Sequence, residues 1–313
     1  MKVALAQIVP VLLDRDATLA KCIDAVRAAR AGGASLVCFP EALAPGYPVW
    51  VERTDGARFD SAVQKDLFAL YAEQAVCIER GDLLPFCAAC RDAGVMGVLG
   101  IIERPRDRTG HSLYASRVIV DGRQDGRILS VHRKLMPTYE ERLVWGIGDG
   151  HGLTAHPIGD FTLGALNCWE NWMPLARAAL YAQGVDLHVA LWPGSDRNTR
   201  DITRFIAMES RSYVVSVGGL IRASDVPAST PARSVFAGAN ETYCNGGSCV
   251  AAPDGSWVIE PVTNREEVLF AEIDHREVRR ARQNFDPAGH YARPDVLRLV
   301  VDRRRQATAE FLD

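Results

Sequence analysis

Hydrophobic and polar positions along this chain repeat with two alternating periods, and their order predicts an α/β fold. Val3-Ala4-Leu5-Ala6-Gln7-Ile8-Val9 is an apolar run of strand length. Asp14 or Asp16 can cap the helix that follows, whose stripe of Leu19, Cys22, Ile23 and Val26 ends at Gly32-Gly33. Ser35-Leu36-Val37-Cys38-Phe39 reads as a second buried strand leading into Pro40-Glu41. Beyond a loop mixing turn formers with aromatics, helical segments are expected at about 60–79 and 82–93, then strands at about 95–102, 112–120 and 127–132.

The second half alternates in the same way. A strand at 161–167 precedes a helix with Trp172, Leu175, Ala176 and Ala179 on one face and Pro174 in its first turn. A strand at 186–192 precedes a helix from about Thr199 striped by Ile202, Phe205 and Ile206. Strands at about 213–220, 247–252, 256–260 and 267–273 and a short helix from Asp274 close the pattern. From about Asn284 the chain is broken by proline and then rich in arginine, with Arg303-Arg304-Arg305 expected as a solvated charge run. No linker separates two composition regimes, so residues 1–313 read as one domain, with about 284–313 as a tail expected to dock on a partner subunit or stay loose.

Composition narrows the function classes. At 313 residues, 48% of them hydrophobic, the chain can bury a large core. A net charge of −3 gives no electrostatic footprint for nucleic acid. No apolar run reaches membrane-spanning length and the N-terminus has no leader pattern, so the expectation is a soluble cytoplasmic protein. The eight cysteines are scattered rather than framed, as reduced thiols would be. Cys87 and Cys90, with Cys244 and Cys249, match zinc-ligand spacing poorly, and no metal site is expected.

Three ends of predicted strands carry reactive groups: Glu41, Lys134 and Cys168. Cys168 falls where a strand turns sharply into a helix, a place that exposes a nucleophile and aims N–H groups at charge beside it. A carboxylate can take the thiol proton, and an ammonium can stabilise the thiolate and the anion formed after attack. Lysine is scarce here, only Lys2, Lys21, Lys65 and Lys134, so its retention beside Arg133 hints that a compact ammonium is needed. Tyr47, Trp50, Trp169 and Trp192 are candidates to line a pocket or simply to pack the core. His132 points away from its neighbour Arg133 and is expected to make a structural hydrogen bond.

Phe39-Pro40-Glu41-Ala42 with Pro45-Gly46-Tyr47-Pro48, His132 to Thr138 running on through Glu141 to Gly146, and Asn167-Cys168-Trp169-Glu170-Asn171 with Met173-Pro174-Leu175 together resemble the nitrilase branch of the nitrilase superfamily, the carbon-nitrogen hydrolases. The similarity extends to His290-Tyr291 and Arg293-Pro294-Asp295. The resemblance implies a four-layer α-β-β-α sandwich, dimers packed through the helices after the nucleophile strand and after strand 186–192, and a homodimer or higher homo-oligomer. It implies Glu41, Lys134 and Cys168 as catalytic triad and Glu141 as the second glutamate that positions the lysine and the substrate, with no metal or organic cofactor. The expected reaction is hydrolysis of a small-molecule nitrile to acid and ammonia. An amidase or carbamoylase using the same residues and, further off, a non-catalytic assembly protein keeping the fold are the alternatives.

Overall fold

Alternation along the first strand already sets up layers. In β1 (Lys2–Gln7), Val3 and Leu5 face one side and Ala4 and Ala6 the other, and both sides are buried. The computed structural model describes residues 1–236 and 241–309. After β1 come α1 (Arg15–Ala31), β2 (Leu36–Cys38), a single turn α2 (Trp50–Arg53), α3 (Ala62–Gln74), α4 (Leu84–Ala93), β3 (Met96–Glu103), β4 (Tyr114–Asp121) and β5 (Arg127–Arg133). The second half runs β6 (His156–Ile158), β7 (Phe161–Asn167), α5 (Pro174–Tyr181), β8 (Leu187–Trp192), α6 (Asp196–Ser210), β9 (Tyr213–Gly218), β10 (Leu220–Arg222), β11 (Thr242–Ala251), β12 (Trp257–Thr263), β13 (Glu267–Glu272) and α7 (His275–Arg282).

The strands form two sheets. One has the order β13-β1-β2-β3-β4-β5, and the other β10-β11-β9-β8-β7-β6 with β12 paired to β11. Val3, Leu5, Leu36, Met96 and Val98 of the first sheet meet Leu163, Leu187, Val189, Val215 and Val217 of the second in one apolar layer. Helices α1 and α4 cover the outer face of the first sheet through Leu19, Cys22, Val26, Phe86 and Cys90. Helix α6 covers the outer face of the second through Ile202 and Ile206, and α5 through Ala176, Ala179 and Leu180. The architecture is the expected four-layer α-β-β-α sandwich. Among the described residues no helix is long and apolar enough to cross a membrane.

Several sequence expectations change in detail. The helical stretch 60–79 is shorter, because Ala75-Val76-Cys77 run extended and Val76 bridges to Glu103. The helix after the nucleophile strand buries Ala176, Arg177, Ala179 and Leu180, whereas Trp172 and Leu175 are 43% and 67% exposed. Trp172 belongs to a separate 3-10 turn (Cys168–Trp172), so its periodicity does not carry through Pro174. In α6, Phe205 likewise faces outward and stacks on Trp172 at 6.5 Å. The tail folds back in part: Arg305 pairs with Asp149 at 3.0 Å, and the Gln306 amide donates to the same carboxylate. Arg305 is therefore a clasp rather than part of a solvated charge run. The last four residues of the tail lie outside the described residues.

Candidate active site

Strand direction brings the three reactive groups to one edge. Strands β1, β2 and β3 run parallel, and two antiparallel steps through β4 make β5 parallel to them as well. The C-terminal ends of β2 and β5 therefore open on the same side, with Glu41 after one and Lys134 after the other. Cys168 follows β7 of the facing sheet.

Each residue is held by its backbone. The Glu41 N–H donates to the Trp192 carbonyl at 3.2 Å, tying the exit of β2 to β8 across the sheets. This loop crosses β3 so closely that a Cβ at Gly100 would lie 2.1 Å from the Pro40 oxygen and 2.7 Å from Glu41 Cα. Lys134 is fixed by donation of its N–H to Ala115 O and acceptance from Gly148 N, both at 2.8 Å. Cys168 sits in the left-handed region with φ of +48°, a strained elbow that directs its sulfur inward.

The side chains meet in a buried cluster. One ligand atom from each of Glu41, Glu141 and Cys168 lies within 4.8 Å of the others. The Lys134 ammonium stands 2.6 Å from Glu141 Oε2 and 3.0 Å from Glu41 Oε1, with the Trp145 ring centroid 5.4 Å away. That ammonium supplies the positive charge the two carboxylates call for. Glu141 is the more fully occupied carboxylate: it also accepts from Tyr47 Oη at 2.9 Å and from the Thr138 N–H at 2.6 Å. Among the described residues Glu41 has the ammonium beside Oε1 and no other hydrogen-bond partner, so Oε2 keeps open lone pairs.

Burial and close charges perturb three groups of the cluster. Burial pushes Glu41 up to about 8 against the pull of Lys134, with the Glu141 charge adding to the rise. Burial also pushes the Cys168 thiol well above its usual value, opposed by Lys134 and the Trp169 N–H. Burial opposes the charge on Lys134, but the facing thiol and carboxylates hold its ammonium well above the usual lysine value. The thiol therefore favours its protonated form, and Glu41 holds a proton far more tightly than an exposed carboxylate does.

The carbon-nitrogen hydrolase family model matches residues 2–283. The chain belongs to the carbon-nitrogen hydrolase family. An aliphatic nitrilase of Sinorhizobium fredii (strain HH103) is 37% identical over 304 residues, covering 96% of this chain and 95% of that one. An aliphatic nitrilase of Rhodococcus rhodochrous is 33% identical, covering 100% of this chain and 82% of that one. A bifunctional nitrilase/nitrile hydratase of Nicotiana tabacum is 34% identical, covering 96% and 86%. Among solved structures, an amidase from Nesterenkonia sp. AN1 shares the fold at a TM-score of 0.66 and 18% identity, covering 89% of this chain and 95% of that one.

In this carbon-nitrogen hydrolase a cavity of about 560 Å³ adjoins the cluster, lined by Tyr47, Arg53, Glu140, Arg197, Tyr243 and Cys244 among others. Tyr47 reaches both the cavity and Glu141. Trp192 is fully buried in the packing group that contains Cys168. Trp50 lies elsewhere, edge-on to Tyr71 and beside a separate cavity of about 180 Å³. Trp169 is 49% exposed and leans on Trp172. His132 makes the structural hydrogen bond expected of it, to Glu170 at 2.9 Å.

Glu170 is the residue to which sequence reasoning gave no role. It is fully buried, yet His132 and the N–H groups of Leu135 and Asn167 hold its carboxylate below the usual range. The signal was present as Asn167-x-x-Glu170, the spacing of a capping box, which the structure contains.

Proposed function

We propose that this chain hydrolyses an organic nitrile to the carboxylic acid and ammonia, with Cys168 as nucleophile, Glu41 as general base and Lys134 as the electrostatic stabiliser. The observation that carries the reading is the convergence of the Cys168 sulfur on a carboxylate with open lone pairs beside a buried ammonium. The full-length similarity to aliphatic nitrilases supports nitriles as the substrate class.

Glu41 takes the Cys168 proton and the sulfur adds to the nitrile carbon, giving a thioimidate whose nitrogen receives that proton. Lys134 and the Trp169 N–H face the charge that develops, a contribution worth on the order of 100-fold or more per donor. Glu41 then deprotonates water, which adds to form a tetrahedral adduct. Loss of ammonia leaves a thioester, and a second water releases the acid. Glu141 touches Lys134 and Tyr47 and serves to position the ammonium. The four groups share protons, so titration belongs to the cluster.

The same reading includes a homodimer or higher oligomer in the cytoplasm. The exposed face of Trp169, Trp172, Leu175 and Phe205 beside α5 and α6 supports the first, and free cysteines the second. The net charge of −3 supports a small-molecule substrate over nucleic acid.

The test is ammonia and acid release from aliphatic, aromatic and arylacetic nitriles and their matching amides, native chain against Cys168→Ala. Nitrile turnover lost in the variant is the expected result. Turnover of amides alone would move the reaction to amide hydrolysis with the same residues.

A further inference from the structure

One buried carboxylate touches none of the reacting groups but holds the segments that carry two of them. Glu170 Oε1 accepts from the Leu135 N–H at 2.5 Å and lies 2.9 Å from His132 Nε2. Its Oε2 accepts from the Asn167 N–H at 2.8 Å and lies 3.2 Å from the same imidazole nitrogen. His132 and Leu135 flank Lys134 on the first sheet, and Asn167 precedes Cys168 on the second. Much of the contact between the sheets is apolar, and such packing is not directional. A carboxylate held by three donors, from segments on both sheets, fixes distance and angle together. Arg117, fully buried and bonded to the Gly152 and Ala165 carbonyls, adds a positive field on the same side.

We propose that Glu170 is a positioning residue that locks Lys134 against Cys168 across the two sheets, and thereby sets how the nitrile-derived adduct divides between acid and amide. The inference rests on the nitrile reading of the site.

The chemistry of the adduct R–C(OH)(NH2)–S explains the sensitivity. To release acid, Glu41 first takes the hydroxyl proton of the adduct and delivers it to the amine. The C–N bond then breaks with its electron pair leaving on ammonia, and the remaining oxyanion closes to the thioester carbonyl. To release amide, the C–S bond breaks with its pair on sulfur, and the hydroxyl proton is delivered to the thiolate. Only the first route needs a proton placed on nitrogen before the bond breaks. Glu41 is held for that transfer by Lys134 at 3.0 Å. A displaced ammonium therefore slows the acid route more than the amide route, and a misplacement near 1 Å costs on the order of 100-fold.

Glu170→Gln keeps the shape but removes the charge and turns an NH2 group toward a donor. With one aliphatic nitrile over a concentration series up to saturation, and rates normalised to titrated Cys168 thiol, the expected outcome is a kcat at least about 10-fold lower, a KM within about 3-fold, and an amide fraction at least about 3-fold higher. An unchanged amide fraction, with activity falling only as the titratable thiol falls, would mean a merely structural role and would overturn the proposal. His132→Gln leaves the Leu135 and Asn167 ties in place and should shift the amide fraction in the same direction by less. Where Glu170→Gln does not fold, His132→Gln decides, and an unchanged fraction there overturns the proposal. A native chain that hydrolyses amides and no nitrile would sink the nitrile reading alone. Glu170→Gln is then read on amide kcat at constant KM, where a 10-fold fall supports positioning and no change overturns it.

Discussion

Replacing Glu41 with glutamine separates the chemistry of its carboxyl from its effect on folding. Folding moves this group from water, where its ordinary value is 4.5, to a dry site where burial pushes it up to about 8 against the pull of Lys134. The folded state therefore holds the proton more tightly than the unfolded chain. The stability this contributes is fully present below about pH 4.5 and is lost as pH rises to about 8. At about 1.4 kcal/mol per pH unit the interval amounts to at most about 5 kcal/mol, and to a few kcal/mol once Lys134 and Cys168 share the proton. Glutamine copies the protonated shape and does not titrate. Glu41→Gln should thus match the native chain near pH 5, exceed it by a few kcal/mol near pH 8, and lose at least about 100-fold in nitrile turnover. Urea midpoints and slopes measured across this range read the difference. An offset between the two proteins that is the same at every pH would refute the reasoning.

Three further outcomes follow from particular contacts. Lys134→Met removes the ammonium and leaves two buried carboxylates facing each other, so turnover should fall at least about 100-fold and the stability lost should be largest at alkaline pH, read by kcat and thermal melts. Gly100→Ala drives a Cβ to 2.1 Å from the Pro40 oxygen, and because the neighbour is backbone rather than a yielding side chain it should destabilise the chain by about 2–4 kcal/mol and depress kcat, measured by denaturant unfolding and nitrile turnover. Leu175→Asp with Phe205→Asp, on the exposed apolar face, should convert an oligomer to smaller species in sedimentation, and an unchanged sedimentation coefficient would remove that face from the interface.

The layers and the converging edge were legible because they depend on period and order. Strand 161–167 and the short run before Glu41 are mostly apolar, and sheets buried on both faces leave that mark. Nothing in periodicity marks where Trp50 points, because its loop precedes a single helical turn whose orientation is set by packing on Tyr71. Trp172 and Leu175 misled the reading of α5 because a 3-10 turn and Pro174 reset the phase, and their outward face is apolar enough to imitate a core. Residue types and spacing did not separate Glu41 from Glu141; only the family resemblance gave them different parts. In the structure Tyr47, Thr138 and Lys134 occupy Glu141, while Glu41 has the ammonium alone beside it. The cross-sheet part of Glu170 was hidden for a related reason, since two of its three partners, Leu135 and His132, lie 35 and 38 residues away in sequence.

The central claim is that the nitrile carbon becomes bonded to the Cys168 sulfur. Acid-quenching the protein during turnover of an aliphatic nitrile and mapping the modified peptide by mass spectrometry tests it directly. The account predicts an acyl or imidate adduct on Cys168, and none in the Cys168→Ala chain. Turnover at full rate with the label on another residue, or with the Cys168→Ala chain still converting nitrile, would contradict it.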